Sequence, residues 1–316
     1  MSSMTAWGAV ASKMAIASSV FVVGALVSTS TSGCSRNRQE AILLANEGDK
    51  SVKVDADGAI GKYEQATKLD PSNPHIFFKL AMAHKKKEEW DKVAEALSSA
   101  TKLAPEWANF WLERGYALEQ LAEKKTVSYE EAKEPYNKCI EVDANYADCY
   151  HQLGNVYLWL DDEQKALEFY TKAIEHDPTQ IRFYGPPAEL YINLDHTKEA
   201  EQLLKEAKSF AKPGDPYLFG AHTLLSKIYQ DRGQVTEMVA ELEAAKTVAG
   251  EGPNQISVLY SLGATYAKLE PPRKQESIQL LKSFNSRACK GAKAKEYQSE
   301  CETAKSLITD MGGSVQ

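Results

Sequence analysis

A helical hairpin recurs along this chain at a spacing of 34 residues, and that period limits the possible fold more than any other feature. Its clearest copy runs from Tyr150 to Pro178, YHQLGNVYLWLDDEQKALEFYTKAIEHDP. Tyr150, Leu153, Gly154 and Tyr157 recur at three- and four-residue steps, which sets them along one face of a helix. Asp161 and Asp162 mark a turn. Ala166, Leu167, Tyr170, Ala173 and Ile174 form the stripe of a second helix, which stops where Asp177-Pro178 forces the chain out of helical geometry. Gly154 and Ala166 are too small to fill a core, so they predict close approach of the two helices, with Tyr157 and Tyr170 packed around the contact. Two helices of about thirteen residues leave one apolar side each without cover, so neighbours must stack on both flanks.

The neighbours keep register. Pro71 to Pro105, Ala81 to Gly115, Gly154 to Ala188 and Ala166 to Ala200 are each 34 residues. The first copy, about Glu40 to Asn73, departs most, with Asn46 and Glu47 where the reference has Leu153 and Gly154; Ala59, Tyr63, Ala66 and Asp70-Pro71 restore the pattern. The third, opening with Trp111 and Gly115, has about five extra residues at its turn around Glu123 to Ser128. In the fifth, Pro186-Pro187 requires that the first helix begin there or break. Two further copies follow, around Leu225 to Ala245 and Leu259 to Phe284, and Ala292 to Ile308 reads as a final helix covering the open end.

The run of aromatic, Leu-Gly, Tyr, then Ala, aromatic, Ala and Pro resembles the tetratricopeptide repeats, and the resemblance covers about Glu40 to Ser286. It implies an all-α fold, a right-handed α-solenoid of about seven hairpins with a C-terminal capping helix. The expected organisation is a leader over 1–33, a tether over 34–39, the array over 40–286 and a cap over 287–316. It also implies that the first helix of each hairpin lines a groove for another polypeptide. The residues expected there are Phe78, Met82 and Lys85; Leu112, Tyr116 and Glu119; His151, Asn155, Leu158 and Trp159; Glu189 and Ile192. Exposed aromatic and apolar side chains suit an amphipathic or extended segment, while packing of some against adjacent repeats is the alternative. His151 and Asn155 echo half of the clamp by which some relatives hold C-terminal carboxylates. No Lys accompanies them and the prolines occupy the next helix, so that mode is set aside.

Met14 to Val27 is an uncharged apolar run behind a single Lys13, followed by small polar residues, the grammar of a signal peptide. Thr31-Ser32-Gly33-Cys34 resembles a bacterial lipoprotein cleavage box, with Thr31 where Leu is usual. The resemblance implies that Cys34 is lipidated and becomes the new N-terminus. Ordinary cleavage within 28–32 and an uncleaved anchor are the alternatives. Ser35 rather than Asp after the Cys implies, by the same resemblance, the outer membrane with the chain facing the periplasm.

The other four cysteines fall in two close pairs, Cys139 with Cys149 and Cys289 with Cys301, which in an exported protein suggests disulfides. The first pair flanks the Asp143-Ala144-Asn145 turn between successive helices, within reach of bridging. The second would pin the cap to the last repeat. Alternatively, Cys139 fills the small site that Ala100 and Ala173 occupy in their repeats.

Catalytic patterns are lacking. The six histidines, at 75, 84, 151, 176, 196 and 222, include no pair four apart on a helix, so no metal site is expected. There is no Gly-rich phosphate loop, nucleophile elbow or CxxC, and no cofactor is expected. Acidic pairs such as Asp161-Asp162 and Glu130-Glu131 stand at helix starts, where carboxylates favour the dipole. The net charge of −7, or −8 once the leader and its Lys13 are removed, argues against nucleic acid. These readings converge on a non-enzymatic, lipid-anchored scaffold of an envelope assembly, comparable to the repeat lipoproteins that pilot secretins. An accessory or regulatory subunit of a cell-wall enzyme, and an enzyme whose site these motifs do not reveal, are the alternatives.

Overall fold

The computed structural model describes residues 24–314, with side chains from residue 35 onward. The expected leader therefore lies largely outside the described residues. All regular structure among the described residues is helical, and its helices pair as consecutive antiparallel hairpins. The described residues divide into two compact units, which part between Ala104 and Pro105.

The first unit holds two hairpins, α1 (Gly24–Ser51) with α2 (Ala56–Leu69) and α3 (Pro74–Lys85) with α4 (Trp90–Leu103). Asp55 caps α2 by accepting from the Gly58 N–H at 2.8 Å, and Asn73 caps α3 by accepting from the His75 N–H, with Pro74 at the start of the helix. Residues 35–39, expected as a tether, are helical and exposed; nothing in Ser35-Arg36-Asn37-Arg38-Gln39 breaks a helix, and α1 runs through them without interruption. Ala41 and Ala45 pack on Ala59, Tyr63 and Ala66.

The second unit contains five hairpins. They are α5 (Ala108–Glu123) with α6 (Glu130–Val142), α7 (Ala147–Trp159) with α8 (Glu163–His176), α9 (Gly185–Asn193) with α10 (Thr197–Phe210), α11 (Leu218–Asp231) with α12 (Val235–Ala249), and α13 (Gln255–Lys268) with α14 (Lys274–Ala288). The cap is two helices rather than one, α15 (Lys293–Glu296) and α16 (Gln298–Asp310), with the chain leaving helical geometry at Tyr297 between them. Cys301, Ala304 and Ile308 of α16 bury against the last hairpin.

In three of the hairpins the contact differs in one respect from the expected approach of backbones. A Cβ on Gly154 would lie 2.7 Å from the ring of Tyr170, so the glycine makes room for a buried tyrosine. Gly115 serves Tyr136 in the same way, and Gly48 serves Tyr63. The first copy is thus more faithful than its Asn46-Glu47 suggests. Its glycine is Gly48, and the hairpin is one residue shorter between glycine and tyrosine than in α7–α8. The tyrosine hydroxyls end on the first helix: Tyr63 donates to Asp49 at 2.8 Å, Tyr136 to Glu119 at 2.8 Å and Tyr170 to Asn155 at 2.7 Å.

A second recurring bond ties each of three hairpins to the connector before it. Trp111 Nε1 donates to the Pro105 carbonyl, Tyr150 Oη to Ala144 and Tyr184 Oη to Pro178, at 2.8, 3.0 and 2.9 Å, each spanning six residues. The prolines of the fifth copy do open its first helix. A 3-10 turn at Ile181–Phe183 precedes α9, which is only nine residues long.

Both cysteine pairs are bridged. Cys139–Cys149 joins α6 to α7 across neighbouring hairpins, and Cys289–Cys301 joins the end of α14 to α16, with Cα separations of 6.2 and 5.7 Å. Replacing Cys301 with Ser is expected to remove about 2–4 kcal/mol from the docking of the cap. Amide exchange in α16 should then quicken tenfold or more while α7 and α8 stay protected. Peptide mapping without reductant that finds all four thiols alkylated would contradict both bridges.

Candidate partner-binding face

The hairpin contact fixes which side of each first helix is left over. On α7, Gly154 faces Tyr170, so residues three before it, one after it and four after it turn to one side of the contact. These are His151, Asn155 and Leu158.

His151 lies between the rings of Tyr170 and Phe183, with centroids 5.6 and 5.0 Å away. Both of its ring nitrogens are buried and neither has a hydrogen-bond partner. Burial, helped by the positive charge of Arg182, pushes its imidazole down to about 4, so it is neutral at ordinary pH. Asn155 accepts from Tyr170 and donates to Gln152 at 2.7 Å. Glu119 of α5 accepts from Tyr136, and burial pushes its carboxyl up to about 7, against the pull of that hydrogen bond and with a further push from Glu123. Asp148 pairs with Arg182 at 2.7 Å, linking α7 to the 3-10 turn.

The expected groove residues therefore separate into kinds. Leu112, Leu158 and Ile192 are half-buried and pack into the apolar clusters between hairpins, the alternative weighed from sequence. Glu119, His151 and Asn155 are held inward by burial or by tyrosine hydroxyls. Tyr116 is half-buried on α5. Trp159 is 59% exposed and stacks on Tyr129 at 5.6 Å, at the end of its helix, while Glu189 is exposed on α9. Phe78, Met82 and Lys85 are half-buried on α3 in the first unit.

Open space in the second unit reaches one expected groove residue, Glu189, and continues past the expected set. A cleft of about 250 Å³ between α9 and α11 is lined by Arg182, Pro186, Glu189, Tyr217 and Gly220. A cavity of about 610 Å³ between α11 and α13 has Met238 and Leu242 of α12 in its lining. Its walls include Thr223, Lys227 and Gln230 on one side and Tyr260, Ala264 and Lys268 on the other. The signal for these residues was present. Thr223, Lys227 and Gln230 stand at the same offsets from Ser226 as His151, Asn155 and Leu158 do from Gly154, and Tyr260 and Ala264 match around Gly263. Among the described residues no group of three or more His, Cys, Asp or Glu is placed to hold a metal ion. No helix there is long and apolar enough to cross a membrane.

Two family models match the chain, a tetratricopeptide repeat at residues 147–180 and a TPR repeat at residues 55–88. Over 107 residues it is 31% identical to the heat-shock protein cognate co-chaperone sgt12 of Aspergillus fumigatus, which covers 34% of this chain and 30% of that protein. The chain thus spans about a third of the length of that curated relative. Among solved structures, the C-terminal part of a TPR repeat-containing protein from Cytophaga hutchinsonii superposes with a TM-score of 0.59 at 14% identity, covering 79% of this chain and 98% of that one. PilF of Pseudomonas aeruginosa superposes with a TM-score of 0.53 at 16% identity, covering 70% and 97%. At those identities the likeness is one of fold.

Proposed function

Starting from a chain that carries tetratricopeptide repeats, we propose a lipid-anchored scaffold that holds another protein of a bacterial envelope on the first-helix face of its second unit. The observation that carries this reading is the open space between α9, α11 and α13, which is of the size that receives side chains of a partner. Fixed positions repeated on successive first helices make a surface that reads an extended segment by several side chains at once.

The anchor rests on the sequence of residues 14–34. An apolar run ending at Gly33-Cys34 suits export followed by lipidation, and three acyl chains, at about 0.8 kcal/mol for each buried methylene, would make membrane attachment effectively permanent. Two bridged cysteine pairs accord with an oxidising compartment. Ser35 favours the outer membrane. The finer role we propose is that of a pilotin, escorting a secretin of a pilus or secretion machine; the similarity in fold to PilF is compatible with that role and carries no more than architecture.

Two measurements test this. Changing Cys34 to Ala is expected to move the protein from the membrane to the soluble fraction on cell fractionation; unchanged association removes the lipid anchor. Affinity capture of the tagged full chain from solubilised envelopes is expected to recover a defined partner in stoichiometric amount. A secretin would support the pilotin role, a peptidoglycan synthase would move the assignment to a cell-wall accessory subunit, and capture of no protein would overturn the scaffold.

A further inference from the structure

The cavity between α11 and α13 has a chemistry of its own. Its lining contains two cations, Lys227 and Lys268, and no carboxylate, in a chain whose net charge is −7. Both lysines are exposed, and neither has an ion-pair partner among the described residues, whereas several cations of the same unit are paired: Lys205 with Glu201, Lys208 with Glu241, Arg232 with Glu201 and Arg273 with Glu243. Two unneutralised ammonium groups across one cavity favour an anionic occupant.

Four of the six hydroxyls in the lining narrow the class. Thr223 donates to the Gly220 carbonyl, Ser226 to Thr223, Ser257 to Asn254 and Thr265 to Ser261, at 2.9, 2.7, 3.3 and 2.7 Å. Each proton is committed to its own helix, so these oxygens remain as acceptors. They call for N–H donors, as on an extended peptide backbone, while the lysines call for carboxylates. The buried side chains of Met238, Leu242 and Val258 supply an apolar floor. A volume of about 610 Å³ takes one large side chain together with the backbone around it.

We infer that this cavity is the docking site for an acidic peptide segment of the partner, one that inserts a large apolar side chain between α11 and α13 and places flanking carboxylates on Lys227 and Lys268. The inference deepens the scaffold reading and rests on it, but it does not depend on the lipid anchor or on which envelope protein is held.

The test uses the full chain and immobilised ten-residue peptides of four compositions: acidic with a central Phe, Trp or Leu; acidic with central Ala; basic with the same anchors; and neutral with the same anchors. Retention is expected for the first class alone, weakening with added salt. Lys227→Glu with Lys268→Glu should reduce it at least tenfold while circular dichroism is unchanged, since both side chains are exposed. Met238→Ala should reduce it severalfold and erase the preference for the anchor. Equal retention of basic or neutral anchored peptides, indifference to the charge reversal, absence of binding by the acidic anchored class, or a labelled second copy of the chain retained in place of the peptides would each overturn the inference. Repeating the envelope capture with the charge-reversed chain separates the two levels. Loss of the partner from the variant alone supports this site. Retention by both chains strikes this site and spares the scaffold, and capture by neither strikes the scaffold itself.

Discussion

Adding one methyl group, Gly154→Ala, is expected to destabilise α7 and α8 even though alanine is the better helix former. The new Cβ would stand 2.7 Å from two ring carbons of Tyr170, closer than such atoms approach. The ring has little room to yield: Tyr170 is fully buried and its hydroxyl is bound to Asn155. Overpacking of this kind costs about 1–3 kcal/mol, set against about 1 kcal/mol gained from helix propensity. Tyr170→Ala alone should cost more, about 3–5 kcal/mol, as the largest buried side chain of its hairpin is lost. The informative result is the pair. With the ring gone the methyl enters free space, and Gly154→Ala should become neutral or stabilising by up to about 1 kcal/mol. Urea unfolding of the four proteins, with amide exchange localising the change to α7 and α8, measures the coupling. Additive effects would mean that the glycine serves some other contact. Because Gly115 with Tyr136 and Gly48 with Tyr63 show the same geometry, the same reversal of sign is expected there.

That contact also shows what could and could not be seen in the chain beforehand. The 34-residue period, the apolar stripes and the proline stops are local and repeat, so hairpin number and order were legible, as was the late start of α9 at Pro186-Pro187. Gly48 falls out of register because the first hairpin is one residue shorter, and a fixed period cannot register a local deletion. Tyr150 reads as apolar by periodicity, yet its hydroxyl reaches the Ala144 carbonyl, a bond that spans connector and helix and has no signature in hydrophobic spacing. The expected groove suffered from the same limit. Position along a repeat says which side of a helix a residue takes, but not whether the neighbouring tyrosine draws it inward, as Tyr136 does Glu119 and Tyr170 does Asn155. Nor does it say where first helices part to leave a cavity. The positions around Ser226 and Gly263 obey the same offsets as those around Gly154, and only the space between α11 and α13 distinguishes them.

Glu119 and His151 set two opposing pH dependences within the same unit. Glu119 has its carboxyl raised from 4.5 to about 7 by burial, so the folded chain holds that proton more tightly than the unfolded one. The associated stability is complete below pH 4.5 and is lost as pH rises through 7. His151 has its imidazole lowered from 6.5 to about 4, again by burial, so its contribution is complete above pH 6.5 and is lost as pH falls through 4. Each group carries a slope of about 1.4 kcal/mol per pH unit between its two limits, and from pH 4.5 to 6.5 the slopes are opposite. In the wild-type chain they cancel, leaving these two sites nearly silent to pH in that window. Glu119→Gln leaves the histidine alone, so the variant should gain about 2–3 kcal/mol from pH 4.5 to 6.5. His151→Phe leaves the carboxyl alone and keeps a ring between Tyr170 and Phe183, and it should lose a similar amount over the same range. Urea unfolding at several pH values compares the three chains. Curves that run parallel would show that neither group is desolvated in the folded unit, whereas curves that diverge from the wild type in opposite directions would show that the face of α5 and α7 holds an acid in its neutral form and a base in its neutral form within one stack of hairpins.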